Sequence, residues 1–197
     1  MCIFVIMPKN IIMKQDDRIQ QTEKVIEQAF LQLIEEKGFS NVKLVDIAER
    51  ANVNRNTIYL RYGTKDDLID SLLKKTYKRA IDLISQSAKT KVRNRKMIEN
   101  LIRTIFTVID EDVDLYRIVL TDINLTGYME KIMSAVRKDV MTYVKDTKEN
   151  RIALEYIIRG VFGVLRDWII FDVGTLEENV KLVSNLVMSN SRALSFI

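Results

Sequence analysis

Histidine is absent from the 197 residues of this chain, and cysteine occurs once, at Cys2. No imidazole is available as a general base, as the centre of a catalytic triad or as a metal ligand. One thiol cannot close an internal disulfide or build a cysteine-rich zinc site, and such sparing use fits a reducing, cytoplasmic location. With no clustered acid–base pair either, neither enzymatic activity nor a cofactor or metal is expected. Proline also occurs once and glycine six times. So few breakers predict long helices. The apolar run before Pro8 is too short to span a bilayer, and no basic residue precedes it as in a signal peptide, so no membrane partner is expected.

What is present is a globular composition, 47% hydrophobic and 29% charged. The net charge of +4 permits nucleic-acid binding without demanding it. Apolar residues recur at helical spacing almost throughout, which predicts an all-α fold of about nine helices. The first runs from about Asp16 to Lys37, buries a stripe of Ile19, Val25, Ile26, Ala29, Phe30, Leu33 and Ile34, and ends at Gly38, where a left-handed cap fits. Residues 1–13 stand apart as an extension, either a translation start placed too early or an arm that packs on a neighbour.

The chain is organised around residues 44–65. Leu44, Ile47, Ala48 and Ala51 fall at i, i+3, i+4 and i+7, one face of a helix from Leu44 to Ala51. Asn52 sits at the turn and tolerates a left-handed backbone; Val53 plugs the corner; Asn54 caps the next helix. That helix, Arg55 to Arg61, turns Ile58 inward and leaves Arg55, Asn56, Thr57, Tyr59 and Arg61 for another surface. Arg suits guanine, Asn suits adenine, and Thr, Tyr and Arg suit phosphates. By spacing alone the segment is either a helix-turn-helix or an ordinary helical hairpin.

Its tail, Tyr59-Leu60-Arg61-Tyr62-Gly63-Thr64-Lys65-Asp66-Asp67-Leu68, resembles the segment that closes the DNA-binding domain of the tetracycline-repressor (TetR) family. Ala29-Phe30, Gly38-Phe39 and Asp46-Ile47-Ala48-Glu49-Arg50-Ala51 resemble the same family in order and spacing, over roughly residues 18–70. Three positions depart from it: Lys43 replaces a threonine, Asn52 a glycine and Asn54 a serine. The last two keep the physical role. The resemblance implies an N-terminal helix-turn-helix domain (residues 14–65) and a helical regulatory and dimerisation domain (residues 66–197). It further implies a transcriptional regulator that binds double-stranded DNA as a homodimer, a repressor on a palindromic operator, released by a small-molecule effector. The alternative is a coactivator of the same shape that acts without operator recognition.

Arg55, Asn56 and Arg61 are the candidates for base or groove contacts. Thr57, Tyr59 and Lys65 match family positions on phosphates, and Lys43 can replace the missing threonine. Tyr59 is otherwise a core tyrosine, and Arg61 otherwise a solvated charge.

Thr64 is expected to cap a helix that continues to about Ser87. Further helices are expected at about Arg95–Asp110, Val113–Ile123, Tyr128–Asp146, Asn150–Asp172 and Leu176–Asn190, with Thr126-Gly127 marking a break. A basic run, Lys89, Lys91, Arg93, Arg95 and Lys96, reads as a solvated loop ahead of a second DNA contact. Tyr77, Phe106, Tyr116, Met133, Phe162 and Trp168 are candidates for an effector pocket, against the reading that they are core. Arg159 and Arg166, seven apart on a mostly apolar helix, join them, either neutralised by Glu155 and Asp167 or facing an anionic ligand. That helix is apolar nearly all round and must be covered on more than one side. Val161, Leu165, Val180, Val183 and Val187 are therefore the expected dimer interface.

Overall fold

A computed structural model describes residues 9–87 and 95–191. Among them are nine α-helices, a short 3-10 turn at Phe39–Asn41 and no β-strand. The helices are α1 (Lys9–Lys37), α2 (Leu44–Arg50), α3 (Arg55–Tyr62), α4 (Lys65–Ser87), α5 (Arg95–Glu111), α6 (Val113–Thr121), α7 (Thr126–Met141), α8 (Lys148–Phe171) and α9 (Leu176–Ser191). The chain divides into two compact units, residues 1–69 and 70–197, and the division falls inside α4. Lys89, Lys91 and Arg93 lie outside the described residues, as does most of the expected N-terminal extension. Arg95 and Lys96 open α5, where Arg95 donates to Asn185 Oδ1 at 2.8 Å.

In the first unit the stripe of α1 meets α2 and α3. Ile26, Ala29, Phe30, Leu33 and Ile34 are buried with Phe39, Leu44, Ile47 and Ile58, whereas Ile19, one end of the expected stripe, is exposed. Phe30 and Phe39 meet edge to face at 6.2 Å. Gly38 has φ 76°, where a side chain would be strained, and its N–H closes α1 on Ile34 O at 2.7 Å.

In the second unit α5 packs chiefly on α9, and α8 packs on α6, α7 and α9. Ile102, Phe106 and Ile109 of α5, Tyr116 of α6, Leu165, Trp168 and Ile169 of α8 and Val180 and Val183 of α9 form one core. The second-unit part of α4 is fixed by polar contacts. Thr76 donates to Asp112 Oδ2 at 2.8 Å, and Arg79 donates to the same oxygen at 3.1 Å and to Val108 O at 3.0 Å.

Several boundaries differ from expectation, and the first helix begins at Lys9, inside the expected N-terminal extension, instead of at about Asp16. The break before α7 is at Asp122–Leu125, where the Asp122 carboxylate accepts from the Asn124 N–H at 2.9 Å, and Gly127 lies within the first turn of α7. Helix α7 also stops at Met141, five residues before the expected end. Val144 turns into the core with 1% exposure, and Asn150 donates to Lys145 O at 2.7 Å, which stabilises the turn into α8.

Candidate nucleic-acid interface

The helix-turn-helix is built as its sequence dictates, by caps at every junction. The Asp46 carboxylate accepts from the Lys43 N–H at 3.1 Å and from Lys37 Nζ at 2.5 Å. The Lys37 contact, with the Lys43 amide second, holds the Asp46 carboxyl below its usual range. Arg50 grips Glu36 of α1 through two bonds of 2.7 Å, which ties α2 to α1 and lowers the Glu36 pKa. Asn52 takes φ 52°, the left-handed backbone the turn requires, and the Val53 N–H returns to Ala48 O at 3.0 Å. Asn54 Oδ1 accepts from the Asn56 N–H at 2.8 Å and so caps α3. Gly63, at φ 69°, ends it. Thr64 and Asp67 then exchange bonds across the first turn of α4, the Thr64 N–H to Asp67 Oδ2 at 3.1 Å and the Asp67 N–H to Thr64 Oγ1 at 3.0 Å.

Ile58 is fully buried and fixes the rotation of α3. Arg55, Asn56 and Tyr59 are consequently exposed on one side, with Thr57 half-buried beside them and Lys43 exposed at the start of α2. Tyr59 shows 53% exposure, so it is not a core tyrosine. Arg55 also donates to Glu49 Oε1 at 2.8 Å across the turn. The other two candidates are held inside the unit. Arg61 donates to Glu23 of α1 at 3.0 Å, and its side chain is only 25% exposed. Lys65 Nζ donates to Phe39 O at 2.7 Å and Ser40 O at 2.9 Å and lies 4.6 Å from the centroid of the Phe39 ring. Two of its three N–H groups are thereby used within the unit.

Leu60, which the reading of the sequence passed over, is 89% exposed. The signal was available: two residues past the buried Ile58 is a rotation of about 200° around an α-helix. The charge balance of the unit was also legible. Residues 1–69 hold ten Lys and Arg and ten Asp and Glu, so the excess of +4 lies in the rest of the chain.

The groove that lies over α8 does not gather the pocket candidates. Phe106, Tyr116 and Trp168 belong to the core, with the rings of Phe106 and Trp168 5.2 Å apart. Burial, more than neighbouring Asp112, pushes the Tyr116 hydroxyl pKa up. Tyr77 donates to Asp139 Oδ2 at 2.5 Å, and burial first, then that carboxylate, raises its pKa. Met133 and Phe162 are half-buried. Arg159 pairs with Glu155 and, at 3.4 Å, with Glu130; Arg166 pairs with Asp167 at 3.2 Å. Both guanidinium groups are about half exposed, so neither is a buried charge awaiting an anion. An open groove of about 1110 Å³ runs over α8, lined by Arg137 and Met141 of α7, Ile152, Tyr156, Arg159, Gly160 and Val164 of α8, and Leu186 of α9. Arg159 is the one pocket candidate that touches it.

The expected dimer residues need correction. Leu165, Val180 and Val183 are 3%, 0% and 1% exposed within a single chain, because α5 and α9 cover that side of α8. Val161 and Val187 are half-buried beside the groove. The large apolar groups of these two helices left outside include Ile152, Tyr156 and Phe171 of α8 and Leu182 and Leu186 of α9, between 48% and 66% exposed. Gly160 and Gly163 lie on the same outer side of α8, and a Cβ built on either meets nothing within 4 Å. Among the described residues nothing packs closely against either glycine.

Among the described residues no helix is long and apolar enough to cross a membrane. Residues 26–72 match the family described as bacterial regulatory proteins, tetR family. The HTH-type transcriptional regulator YxbF of Bacillus subtilis (strain 168) is 28% identical over 68 residues, 34% of this chain; the chain spans 18% of that protein's length. The fatty acid metabolism regulator protein of Bacillus subtilis (strain 168) is 21% identical over 158 residues, covering 73% of this chain and 81% of that protein. The solved structure of the fatty acid degradation regulator FadR from Bacillus halodurans superposes with a TM-score of 0.66 at 22% identity, covering 84% of this chain and 94% of that one. At such identity the likeness establishes the fold.

Proposed function

We propose that this TetR-family transcriptional regulator binds a palindromic operator as a homodimer and represses transcription until an effector releases it. One observation carries the DNA-binding reading: α3 is capped at its start by Asn54, anchored by Ile58, and turns Arg55, Asn56 and Tyr59 outward together. An arginine and an amide on one exposed helix face are the groups that read guanine and adenine in the major groove, and a tyrosine hydroxyl suits a phosphate. Lys43, exposed at the start of α2, is a further candidate for a phosphate. Self-association is supported by the outer face of α8 and α9, where Tyr156, Gly160 and Leu186 line one open groove, Leu182 is exposed, and a Cβ on Gly160 or Gly163 meets nothing within 4 Å. A second α8 can approach closely there and bury the apolar groups.

Selection of bound DNA from a random pool tests the reading. The expected result is a palindrome with half-sites about 34 Å apart or a multiple of that. The coactivator reading draws on the balanced charge of residues 1–69, since few surplus cations face the phosphates. A pool with no enriched sequence favours it. Two similar regulators carry names concerning fatty acids, so a fatty acid is the effector class to try first. Release of the selected operator on its addition supports repression with ligand response; unchanged binding with every chain length argues against that class.

A further inference from the structure

We infer that Leu60 reads the 5-methyl group of a thymine in each half-site. The inference rests on the DNA-binding reading and deepens it. Leu60 has 89% of its surface exposed, the highest value among the exposed large hydrophobic side chains of the described residues. It lies inside α3, two residues from its end, and its direction is fixed by the fully buried Ile58. Asn56 stands four residues earlier, so the two side chains project from one face, and Tyr59 is exposed beside them. An isobutyl group held in water on a capped helix contributes nothing to the stability of the free unit. It neither donates nor accepts a hydrogen bond. Of the groups that base pairs present in the major groove, only the thymine methyl is apolar. Leu60 can therefore discriminate between bases by that contact alone. Four residues of helix advance about 6 Å, and stacked base pairs about 3.4 Å. An adenine read by Asn56 and a thymine read by Leu60 then lie one or two steps apart.

The test uses the full-length protein and the site enriched by selection, with each thymine replaced in turn by deoxyuridine, which removes the methyl and nothing else. Wild type is expected to lose about three- to fivefold in affinity at one position per half-site, the effect of one buried methyl group. Leu60→Ala is expected to bind the thymine and deoxyuridine sites equally well, with an unchanged melting temperature. No sensitive position in wild type, or a loss that persists in Leu60→Ala, overturns the inference while the DNA reading stands. If selection enriches no site, the DNA reading has failed before any deoxyuridine is tried, and Leu60 is then left as a contact for an apolar protein surface.

Discussion

Lys65→Met keeps most of the aliphatic stem and removes the ammonium that joins the start of α4 to the connection between α1 and α2. The lost bonds are those to Phe39 O at 2.7 Å and Ser40 O at 2.9 Å. A hydrogen bond from a charged donor contributes about 1.5–3 kcal/mol when shielded, and less where water competes. Phe39 is buried but Ser40 is exposed, so the second bond is the weaker. The ammonium over the Phe39 ring adds about 0.5–1 kcal/mol. After discounting for the half-exposed site, the expected loss is about 2 kcal/mol. Urea unfolding of both proteins reads it as a lower midpoint at constant slope. DNA affinity measured across salt concentrations reads the other role. With two of three donors engaged internally, the slope of log affinity against log salt is expected to change by well under the ~0.9 that one phosphate contributes. Stability within about 0.5 kcal/mol of wild type, together with a slope reduced by a full unit, would refute this reasoning and assign Lys65 to a phosphate.

Leu182→Glu should give a monomer in analytical ultracentrifugation with little change in melting, since the side chain is 53% exposed in one chain; a stable dimer would move the interface elsewhere. Val183→Glu, one residue on but 1% exposed, should instead destabilise the fold itself by several kcal/mol, read by circular dichroism. Asp46 has a lowered pKa, chiefly through Lys37, so its contribution is present above the ordinary value of 3.8 and fades as pH falls through the lower folded value. Asp46→Asn should therefore be less stable than wild type at neutral pH and equally stable in strong acid; a gap that persists at low pH contradicts the assignment. Asn56→Ala should relax preference at one base pair per half-site by roughly 1–3 kcal/mol with unchanged melting. Intact base preferences with a lowered melting temperature would show that the side chain serves folding instead.

The helix-turn-helix was legible because its determinants are local. Asn52 at positive φ, Asn54 as a cap and Ile58 facing inward depend on residues a turn or two away, and each stands where the sequence places it. The paired Thr64 and Asp67 are equally local. The fate of the cations was not legible. Arg61 reaches Glu23, and Lys65 reaches carbonyls more than twenty residues away, pairings that exist only once α1 has docked. The same limit applies to α8. Its all-round apolar character announces burial on several sides but not which side the chain's own helices take. Packing of α5 and α9 encloses Leu165, Val180 and Val183, and leaves Tyr156, Gly160 and Leu182 outside. Periodicity and capping follow from neighbours in sequence, so the sequence alone determined the elements and the orientation of α3. Which charges are already paired, and which apolar face remains uncovered, depends on contacts between distant segments, and only the tertiary structure decided them.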